Sequence, residues 1–357
     1  MKAIVLQPHT TSIQLKEWPE PKIQRPDEIK VKVLRVGICG TDREEASGGR
    51  ADAPPGEKEL VIGHEMISQV VEIGPQVHSV KVGDYVVITV RRGCNACNAC
   101  KMNRSDMCMT GNYTERGIKG RHGFQCEFVV DQEAYAVKVD PSIVQIGVLA
   151  EPMSVVQKAI SEAIQIQTSR LPYLKNLQGQ NALVIGLGPI GLLASVVLRL
   201  RGLNVSGLDI VDPKSPRAQI LTAIGGTYVQ KATQTYDFIL DAAGIGKLDF
   251  DLAHQLAING IFVLTGVPGK QHLIQEDGGQ FVRQMVLKNQ VMIGSVNESI
   301  HHFEQGIADL QAAAKKWPGA VEKMIQPLPY TSFKDVISHH TPDEIKVVLE
   351  WSQGKTR

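Results

Sequence analysis

The 357-residue sequence predicts an α/β protein with two domains, one rich in β-strands and one built on a doubly wound parallel sheet. Three observations support this prediction. Residues 1–150 consist mainly of short runs rich in Val, Ile and Tyr between Gly and Pro turns, which is the composition of strands. After residue 180, strand-like and helix-like segments alternate, as they do in a parallel sheet with crossover helices. The length suits two domains with separate cores.

The composition is that of an ordinary globular chain and argues against two kinds of partner. Lys and Arg number 38 against 37 Asp and Glu, so there is no basic excess for a nucleic acid. No apolar run approaches the ~20 residues that span a bilayer, and the N-terminus has too short an apolar core for a secretory signal. We therefore expect a cytoplasmic protein without a membrane partner, whose six cysteines are metal ligands or buried thiols.

The β-rich half contains a lobe, about residues 91–110, that is dense in cysteine. Its four thiols are Cys94, Cys97, Cys100 and Cys108. Four thiolates at this spacing can surround one tetrahedral ion with no open position, which favours a structural zinc. Reduced bystander thiols, a disulfide pair and an iron–sulfur cluster are also compatible with the spacing.

Cys39 and His64 lie at the ends of strand-like runs, beside glycines, in the segments GICGTD and VIGHE. Such positions often present side chains at a cleft. With the nearby carboxylates of Asp42 and Glu65, they offer the sulfur, nitrogen and oxygen ligands that zinc binds. They are 25 positions apart, so only the fold can bring them together. Taken singly, such a cysteine is more often a core residue, and such a histidine more often a hydrogen-bonded structural residue, than a metal ligand.

The second half opens with a helical segment, AEPMSVVQKAISEAIQI, followed by a dinucleotide fingerprint between a strand-like and a helix-like run. The pattern comprises Gly186, Gly188, Pro189, Ile190 and Gly191. Its first glycine makes the turn, its second lets a pyrophosphate approach the backbone, and its third permits close helix–strand packing. The helix N-terminus then faces the phosphates. A tight strand–helix turn that binds nothing would show the same glycines.

Asp209 ends the next strand-like run, 23 residues after the first fingerprint glycine. A carboxylate there accepts hydrogen bonds from the adenosine ribose and repels a 2′-phosphate, so we predict NAD in preference to NADP. The following Ile210 and Val211 offer no guanidinium for that phosphate. The carboxyl ends of the later strands should form the edge where the cofactor binds. The residues expected at that edge are Ala243, Thr265, Val267, Ser295, Val296 and Asn297.

Together these motifs resemble the zinc-containing medium-chain dehydrogenase/reductase superfamily over nearly the whole chain. The segments VRRGC, YTERGIKGRHGF, GVLAEPMS and VLKNQVMIGSVN are similar, more narrowly, to microbial and archaeal glucose dehydrogenases. The resemblance implies a GroES-like catalytic domain over residues 1–176 and 298–357. It also implies a Rossmann dinucleotide-binding domain over residues 177–297, and a homodimer or homotetramer.

The resemblance further implies a catalytic zinc held by Cys39, His64 and Glu151, with Glu65 able to coordinate directly or to exchange with water. Asp42 would orient the imidazole, as metal-bound histidines commonly require. Thr41 would hydrogen-bond the reacting hydroxyl. The positions implied to bind the sugar are Thr41, Glu115, Glu151 and Asn297, and Lys346 is implied to contact the cofactor phosphates.

Two positions depart from the family pattern. Glu44 stands where many alcohol dehydrogenases have a histidine that relays the proton, so the relay must differ, with Glu44 as one candidate. Val155 stands where some glucose dehydrogenases have an acidic sugar contact, so glucose, galactose, xylose or a related sugar would all fit.

The implied reaction is oxidation of the C1 hydroxyl of an aldose to the lactone, with hydride transfer to nicotinamide. Within the same superfamily, a polyol such as sorbitol, or threonine, is the competing substrate. Outside sugar and polyol oxidation, two other functions are alternatives. A dinucleotide-binding sensor without catalysis is disfavoured because metal-ligand residues and cofactor glycines occur together, and a zinc-free quinone reductase is disfavoured by Cys39 and His64, which its chemistry does not need.

Overall fold

A computed structural model describes residues 1–269, 273–341 and 343–352 and shows two compact units. The first unit contains Met1–Ser154, Glu298–Gln311 and the C-terminal part from Ile325, and the second contains Val155–Asn297 and Ala312–Met324. The domain boundaries drawn from the sequence, at 176/177 and 297/298, stay predictions. Within the described ranges, no helix combines the length and the apolarity needed to cross a bilayer.

Strands and α-helices alternate only in the second half of the described chain. The strands are β1 Lys2–Leu6, β2 Ile13–Glu17, β3 Glu28–Gly37, β4 Leu60–Val61, β5 Glu65–Ile73, β6 Tyr85–Ile88, β7 Arg91–Arg92, β8 Thr114–Arg116, β9 Gly120–Arg121, β10 Phe128–Gln132, β11 Ala136–Val139, β12 Asn181–Ile185, β13 Asn204–Leu208, β14 Thr227–Val229, β15 Tyr236–Asp241, β16 Leu256–Leu264, β17 Val291–Gly294, β18 Ile325–Pro329 and β19 Lys346–Glu350. The α-helices are α1 Gly40–Ala46, α2 Asn98–Lys101, α3 Ala150–Arg170, α4 Pro189–Leu200, α5 Pro216–Ala223, α6 Gly246–Ala253, α7 Gly278–Leu287, α8 Ile300–Lys316 and α9 Phe333–Ser338.

The first unit is rich in strands, as its composition predicts. Its main sheet has the order β11–β6–β5–β3–β19–β18, and β10 also pairs with β3. Neighbours are antiparallel except for the parallel β18–β19 pair. β3 lies between β5 and β19, and its last residue, Gly37, pairs with Glu65 at the start of β5 and with Val348 in the middle of β19. This junction places the first candidate site.

Two smaller three-stranded sheets complete the first unit, with the orders β2–β1–β4 and β7–β8–β9. Between β7 and β8 lies the cysteine-dense segment, residues 93–113, which we call the four-cysteine lobe. From residue 94 to residue 110, only Asp106 is buried. The lobe therefore has no apolar core of its own, and burial of apolar surface, about 25 cal/mol per Å², contributes little to holding it.

The second unit has a six-stranded parallel sheet with the order β14–β13–β12–β15–β16–β17. Counted along the chain, this is the 3-2-1-4-5-6 order of a dinucleotide-binding fold, which confirms the predicted doubly wound sheet. Its central strands are buried throughout most of their length, as the near-continuous apolar runs NALVI and YDFILD predict.

The fingerprint glycines lie between β12 and α4. Gly186 has a φ of +84°, which a residue with a Cβ rarely adopts, and Gly188 precedes Pro189 at the first turn of α4. A Cβ at Gly191 would lie 1.7 Å from the carbonyl oxygen of Gly186, whereas a Cβ at Gly188 would meet no atom within 4 Å. The third glycine is thus required by packing and the second is not.

This difference predicts different effects for an alanine at Gly191 and an alanine at Gly188. Gly191→Ala should destabilise the protein by roughly 1–3 kcal/mol or more, because the added methyl overlaps the backbone. Gly188→Ala should leave the melting temperature unchanged but weaken NADH binding, since the methyl stands where a pyrophosphate approaches. Thermal unfolding and NADH fluorescence titration measure the two effects, and an unchanged melting temperature for Gly191→Ala would contradict the packing argument.

Candidate metal centres and dinucleotide site

Three predicted metal ligands meet where β3, α1 and β5 come together. Cys39 is the N-cap residue of α1, and His64 immediately precedes Glu65, the first residue of β5. The ligand atoms of Cys39, His64 and Glu65 all lie within 4.8 Å of one another, and His64 and Glu65 are buried. The fold therefore brings together the residues whose sequence separation left their partnership open.

Asp42 lies on the far side of the imidazole. Its Oδ2 accepts the backbone N–H of Cys39 at 2.8 Å, and its Oδ1 is 3.7 Å from His64 Nδ1. Burial lowers the pKa of His64, but the charge of Asp42 and a hydrogen bond with Cys39 raise it well above its ordinary value. Neither Asp42 Oδ1 nor His64 Nδ1 has a hydrogen-bond partner among the described residues. Nδ1 is the ring nitrogen beside the carboxylate, so Nε2 is the nitrogen left for a metal.

Carboxyl groups are concentrated around this cluster. Glu45, one turn after Asp42 on α1, is fully buried, and neither of its oxygens has a hydrogen-bond partner among the described residues. Burial and the charge of Asp42 raise the pKa of Glu45 to about 9. Burial and the charge of Glu298 likewise raise the pKa of Glu151 well above its ordinary value. A thiol, an imidazole and several crowded carboxylates fit a divalent cation, which would relieve their mutual repulsion.

The predicted ligand Glu151 begins α3 and stands apart from the other three. Its carboxylate is not within the 4.8 Å group, although its charge raises the pKa of His64. The Thr41 hydroxyl lies 3.9 Å from the Cys39 sulfur, which places it beside the candidate metal. The Glu44 carboxylate is half-exposed and pairs with Arg50 at 3.5 Å.

Lys346 occupies a position that sequence reasoning did not anticipate. Its ammonium donates to both oxygens of Glu65, at 2.7 Å each, and to the carbonyl of Ile38 at 3.2 Å. Both side chains are at most 3% exposed. A Cβ at Gly37 would lie 2.1 Å from Glu65 Oε2, so glycine is needed there for the carboxylate to fit. The structure thus gives Lys346 a partner at the metal site, whereas the expected partner was a cofactor phosphate.

The four cysteines of the lobe form the second candidate metal centre. Their sulfur atoms all lie within 4.8 Å of one another, and all six cysteines of the chain are free thiols. A hydrogen bond from Thr110 and the backbone N–H groups of residues 96 and 97 lower the pKa of Cys94 to about 5. Because the lobe lacks an apolar core, the donor set fits a structural ion that holds it.

The predicted sugar contact Glu115 lies in β8 and is buried. Its Oε1 accepts hydrogen bonds from Nε and Nη2 of Arg91, at 3.1 and 2.9 Å. Arg91 is the residue directly opposite on β7. Sequence reasoning did not single out this arginine, because its partner is 24 positions away and belongs to a short strand.

Asp209 lies at the carboxyl end of β13, next to the fingerprint. Its Oδ2 accepts the N–H of Leu187 at 2.7 Å, and its Oδ1 accepts that of Ile210 at 2.7 Å. The guanidinium of Arg217 comes within 3.9 Å of Oδ2. Along the chain, Arg217 lies beyond Pro213. In the fold its guanidinium lies close to the Asp209 carboxylate and partly offsets its negative charge.

Asp241 organises the neighbouring strand ends in the second unit. This buried carboxylate accepts the N–H groups of Ala243 and Gly244, and its backbone carbonyl accepts the Thr265 hydroxyl. Asp249, on α6, shares a side-chain hydrogen bond with it. Burial and the charge of Asp241 raise the pKa of Asp249 to about 7.

The last predicted strand end is held by a buried lysine. Lys158 donates to the carbonyl of Val296 at 2.7 Å, and the adjacent Asn297 has a φ of +61°. Asparagine tolerates that left-handed conformation better than most residues. The buried Ser295 donates its N–H to the carbonyl of Leu264, and the side chain of Val267 is exposed. Lys158 gave no signal in the sequence beyond a charge within an apolar helix.

Comparisons with known proteins agree with this arrangement. The family model described as alcohol dehydrogenase GroES-like domain matches residues 25–141, and that described as glucose dehydrogenase C-terminus matches residues 144–351. Glucose 1-dehydrogenase 1 of Caldivirga maquilingensis is 37% identical over 98% of this chain and 99% of the relative. Glucose 1-dehydrogenase of Thermoproteus tenax is 36% identical over 98% of this chain and 99% of the relative.

A solved structure also resembles the whole chain. It is the glucose dehydrogenase of Haloferax mediterranei in complex with NADP, Zn and gluconolactone, with a TM-score of 0.88 and 32% identity, covering 99% of this chain and 100% of that one. The fold and the metal-ligand cluster define a medium-chain dehydrogenase. The chain belongs to the glucose dehydrogenase family within that superfamily, and it is a dehydrogenase.

The Asp241–Asp249 pair predicts a pH dependence of stability. The native state keeps the proton of Asp249 up to about pH 7, whereas the unfolded chain loses it near pH 4, so the free energy of unfolding falls as pH rises between these values. The steepest slope is about 1.4 kcal/mol per pH unit. Asp249→Asn keeps the hydrogen-bond donor and should remove this part of the fall. Urea unfolding at pH 5 and pH 8 measures it, with the exposed Asp251→Asn as control. If the free energy of unfolding of Asp249→Asn falls between pH 5 and pH 8 as steeply as that of the wild type, Asp249 is not the group responsible.

Proposed function

We propose that the chain is a zinc-dependent dehydrogenase that oxidises the C1 hydroxyl of an aldose to the lactone and transfers the hydride to NAD(P), with NAD favoured. The observation that carries the proposal is the convergence of Cys39, His64 and Glu65 in a chain that also has an intact dinucleotide fingerprint. The names of the relatives support the sugar, and the Haloferax complex supports zinc, a nicotinamide cofactor and a lactone product.

The catalytic metal would be held by Cys39, His64 and Glu151, with Glu65 close enough to exchange with water. When bound, zinc supplies Lewis acidity at the sugar hydroxyl oxygen, and the nicotinamide ring accepts the hydride. Asp42 keeps the imidazole in the tautomer and orientation that ligation needs. Lys346 holds both oxygens of Glu65, so the position of that carboxylate is set by a buried ion pair.

The chain itself removes the proton and orients the sugar. The Thr41 hydroxyl, beside the Cys39 sulfur, would accept the proton of the reacting hydroxyl as it gives up its own proton to the next acceptor. Glu44, half-exposed beside Arg50, would receive that proton through water and release it to solvent. Glu115 and Asn297 would hydrogen-bond the remaining sugar hydroxyls, which is why a polyhydroxylated substrate suits these residues better than a simple alcohol.

The cofactor preference depends on two opposite charges. The Asp209 carboxylate disfavours a 2′-phosphate, and Arg217, 3.9 Å away, weakens that effect. We therefore propose NAD as the better cofactor, with measurable use of NADP.

Copies of the chain are proposed to associate as dimers or tetramers through β17, the edge strand of the six-stranded sheet among the described residues. This strand ends the six-stranded sheet, and the neighbouring α7 exposes Val282, Val286 and Leu287. Light scattering after size-exclusion chromatography tests the assembly.

A matrix of sugars and cofactors tests the function. The value of kcat/KM should be highest for an aldose, above sorbitol and threonine, and higher with NAD than with NADP. The measurement follows NADH or NADPH absorbance and identifies the product as the lactone. Higher kcat/KM for the polyol or for threonine would assign the chain to another branch of the superfamily, and the absence of hydride transfer with every substrate would refute the proposal.

Metal content tests the two zinc sites separately. Cys39→Ser should lose one zinc per chain and nearly all turnover, while the protein remains folded. Cys97→Ser should lose the other zinc and lower the melting temperature, because the lobe has no apolar core to replace the ion. Atomic absorption and thermal unfolding on the same samples give the result. Full activity in a Cys39→Ser sample verified to contain only one zinc per chain would contradict the catalytic site.

A further inference from the structure

The guanidinium of Arg91 is enclosed by three different groups. On one side it donates through Nε and Nη2 to Oε1 of Glu115. On another side, Nη1 donates to the backbone carbonyl of Asp106 at 3.3 Å. Its flat face lies 3.8 Å from the centre of the Tyr113 ring. A planar fork held in this way cannot rotate without losing one of these contacts.

These contacts join two parts of the first unit. Asp106 lies inside the four-cysteine lobe, between Cys100 and Cys108, and is the buried residue of that segment. Glu115 lies just after the lobe, on β8, and faces Arg91 across the β7–β8 pair. The side chains of Arg91 and Glu115 are 9% and 10% exposed, so water screens their interaction weakly.

A carboxylate that recognises a sugar must be both ionised and fixed. Hydrogen bonds from hydroxyl groups to a charged oxygen are strong only within a narrow range of distance and angle. A guanidinium fork that holds the carboxylate sideways sets that geometry before the ligand arrives, which reduces the cost of binding. Arg91 satisfies this requirement at Glu115.

We propose that Arg91 is a positioning residue for the sugar, which holds the Glu115 carboxylate and ties it to the four-cysteine lobe through the Asp106 carbonyl. The inference rests on the proposed function, because it takes Glu115 as an acceptor for aldose hydroxyls. It predicts that the arginine acts on sugar binding and not on hydride transfer or on NAD. A purely structural arginine would instead affect stability and leave the KM for the sugar unchanged.

The test compares Arg91→Met, Arg91→Lys, Glu115→Gln and the double variant Arg91→Met/Glu115→Gln. Lysine keeps the charge but cannot face the carboxylate, the ring and the carbonyl together, so it should restore sugar binding in part. The matched control is Lys119→Met. The Lys119 ammonium stacks on the same Tyr113 ring, 4.0 Å from its centre, and donates to the carbonyl of Gly111.

For each holoenzyme, kcat and both KM values are measured with the best aldose of the matrix. The Kd of that sugar in the presence of NADH is measured by calorimetry, alongside the melting temperature and the zinc content. Arg91→Met should raise the KM and the Kd for the sugar about tenfold, the size of one lost charge-assisted hydrogen bond. The kcat and the KM for NAD should change less than about threefold, and Lys119→Met should match the wild type.

The double variant decides whether Arg91 acts through Glu115. If it does, the double variant binds sugar no more weakly than Glu115→Gln alone; if the two effects multiply, the positioning role is wrong. An unchanged sugar KM in Arg91→Met and Arg91→Lys, with Glu115→Gln impaired, overturns this inference alone. An unchanged sugar KM in Glu115→Gln removes that residue from the sugar site and overturns both the inference and the proposed contact. If Arg91→Met does not fold, Arg91→Lys provides the same comparison.

Discussion

The arrangement of the first unit depends on one buried ion pair, between Lys346 and Glu65. The two residues are 281 positions apart and come together because β19 inserts beside β3 at the point where β3 meets β5. Removing one partner of such a pair typically costs about 3–5 kcal/mol, because the other charge is left without compensation. The pair therefore ties the last strand of the described chain to the residues that hold the candidate metal. Around it, Cys39, His64 and Asp42 occupy positions that the ends of β3 and β5 dictate.

The same centre shows how a functional site can work against the stability of its fold. Asp42, Glu45, Glu65 and Glu151 bring carboxyl groups into a small region, and burial together with the charge of Asp42 raises the pKa of Glu45 to about 9. A core of apolar residues would be less costly to bury. A divalent cation bound at this centre would offset the cost of burying these carboxyl groups together, because it supplies positive charge.

The sequence was sufficient where the signal is local. The GxGxxG turn, the four-cysteine spacing and the alternation after residue 180 predict a doubly wound sheet and two candidate sites, and the sheet order confirms the first of these. It was insufficient where a partner comes from a distant strand. Nothing near Lys346 indicates Glu65, nothing near Lys158 indicates the carbonyl of Val296, and a proline separates Arg217 from Asp209 along the chain. These contacts depend on which strands become neighbours, and that information is spread over the whole chain.

The position of the four-cysteine lobe has a consequence for how such a chain can change over evolutionary time. The lobe is an insertion whose two ends are already joined by the β7–β8 pair, so the sheet does not depend on its length. For a flexible loop, doubling the length costs only about 0.6 kcal/mol. The lobe could therefore be shortened or extended without separating the strands that flank it. The two ends of the lobe are different, because Arg91 and Glu115 form a cross-strand pair there. A change in the length of the lobe should therefore disturb the sheet less than a substitution at either of its two attachment points, Arg91 and Glu115.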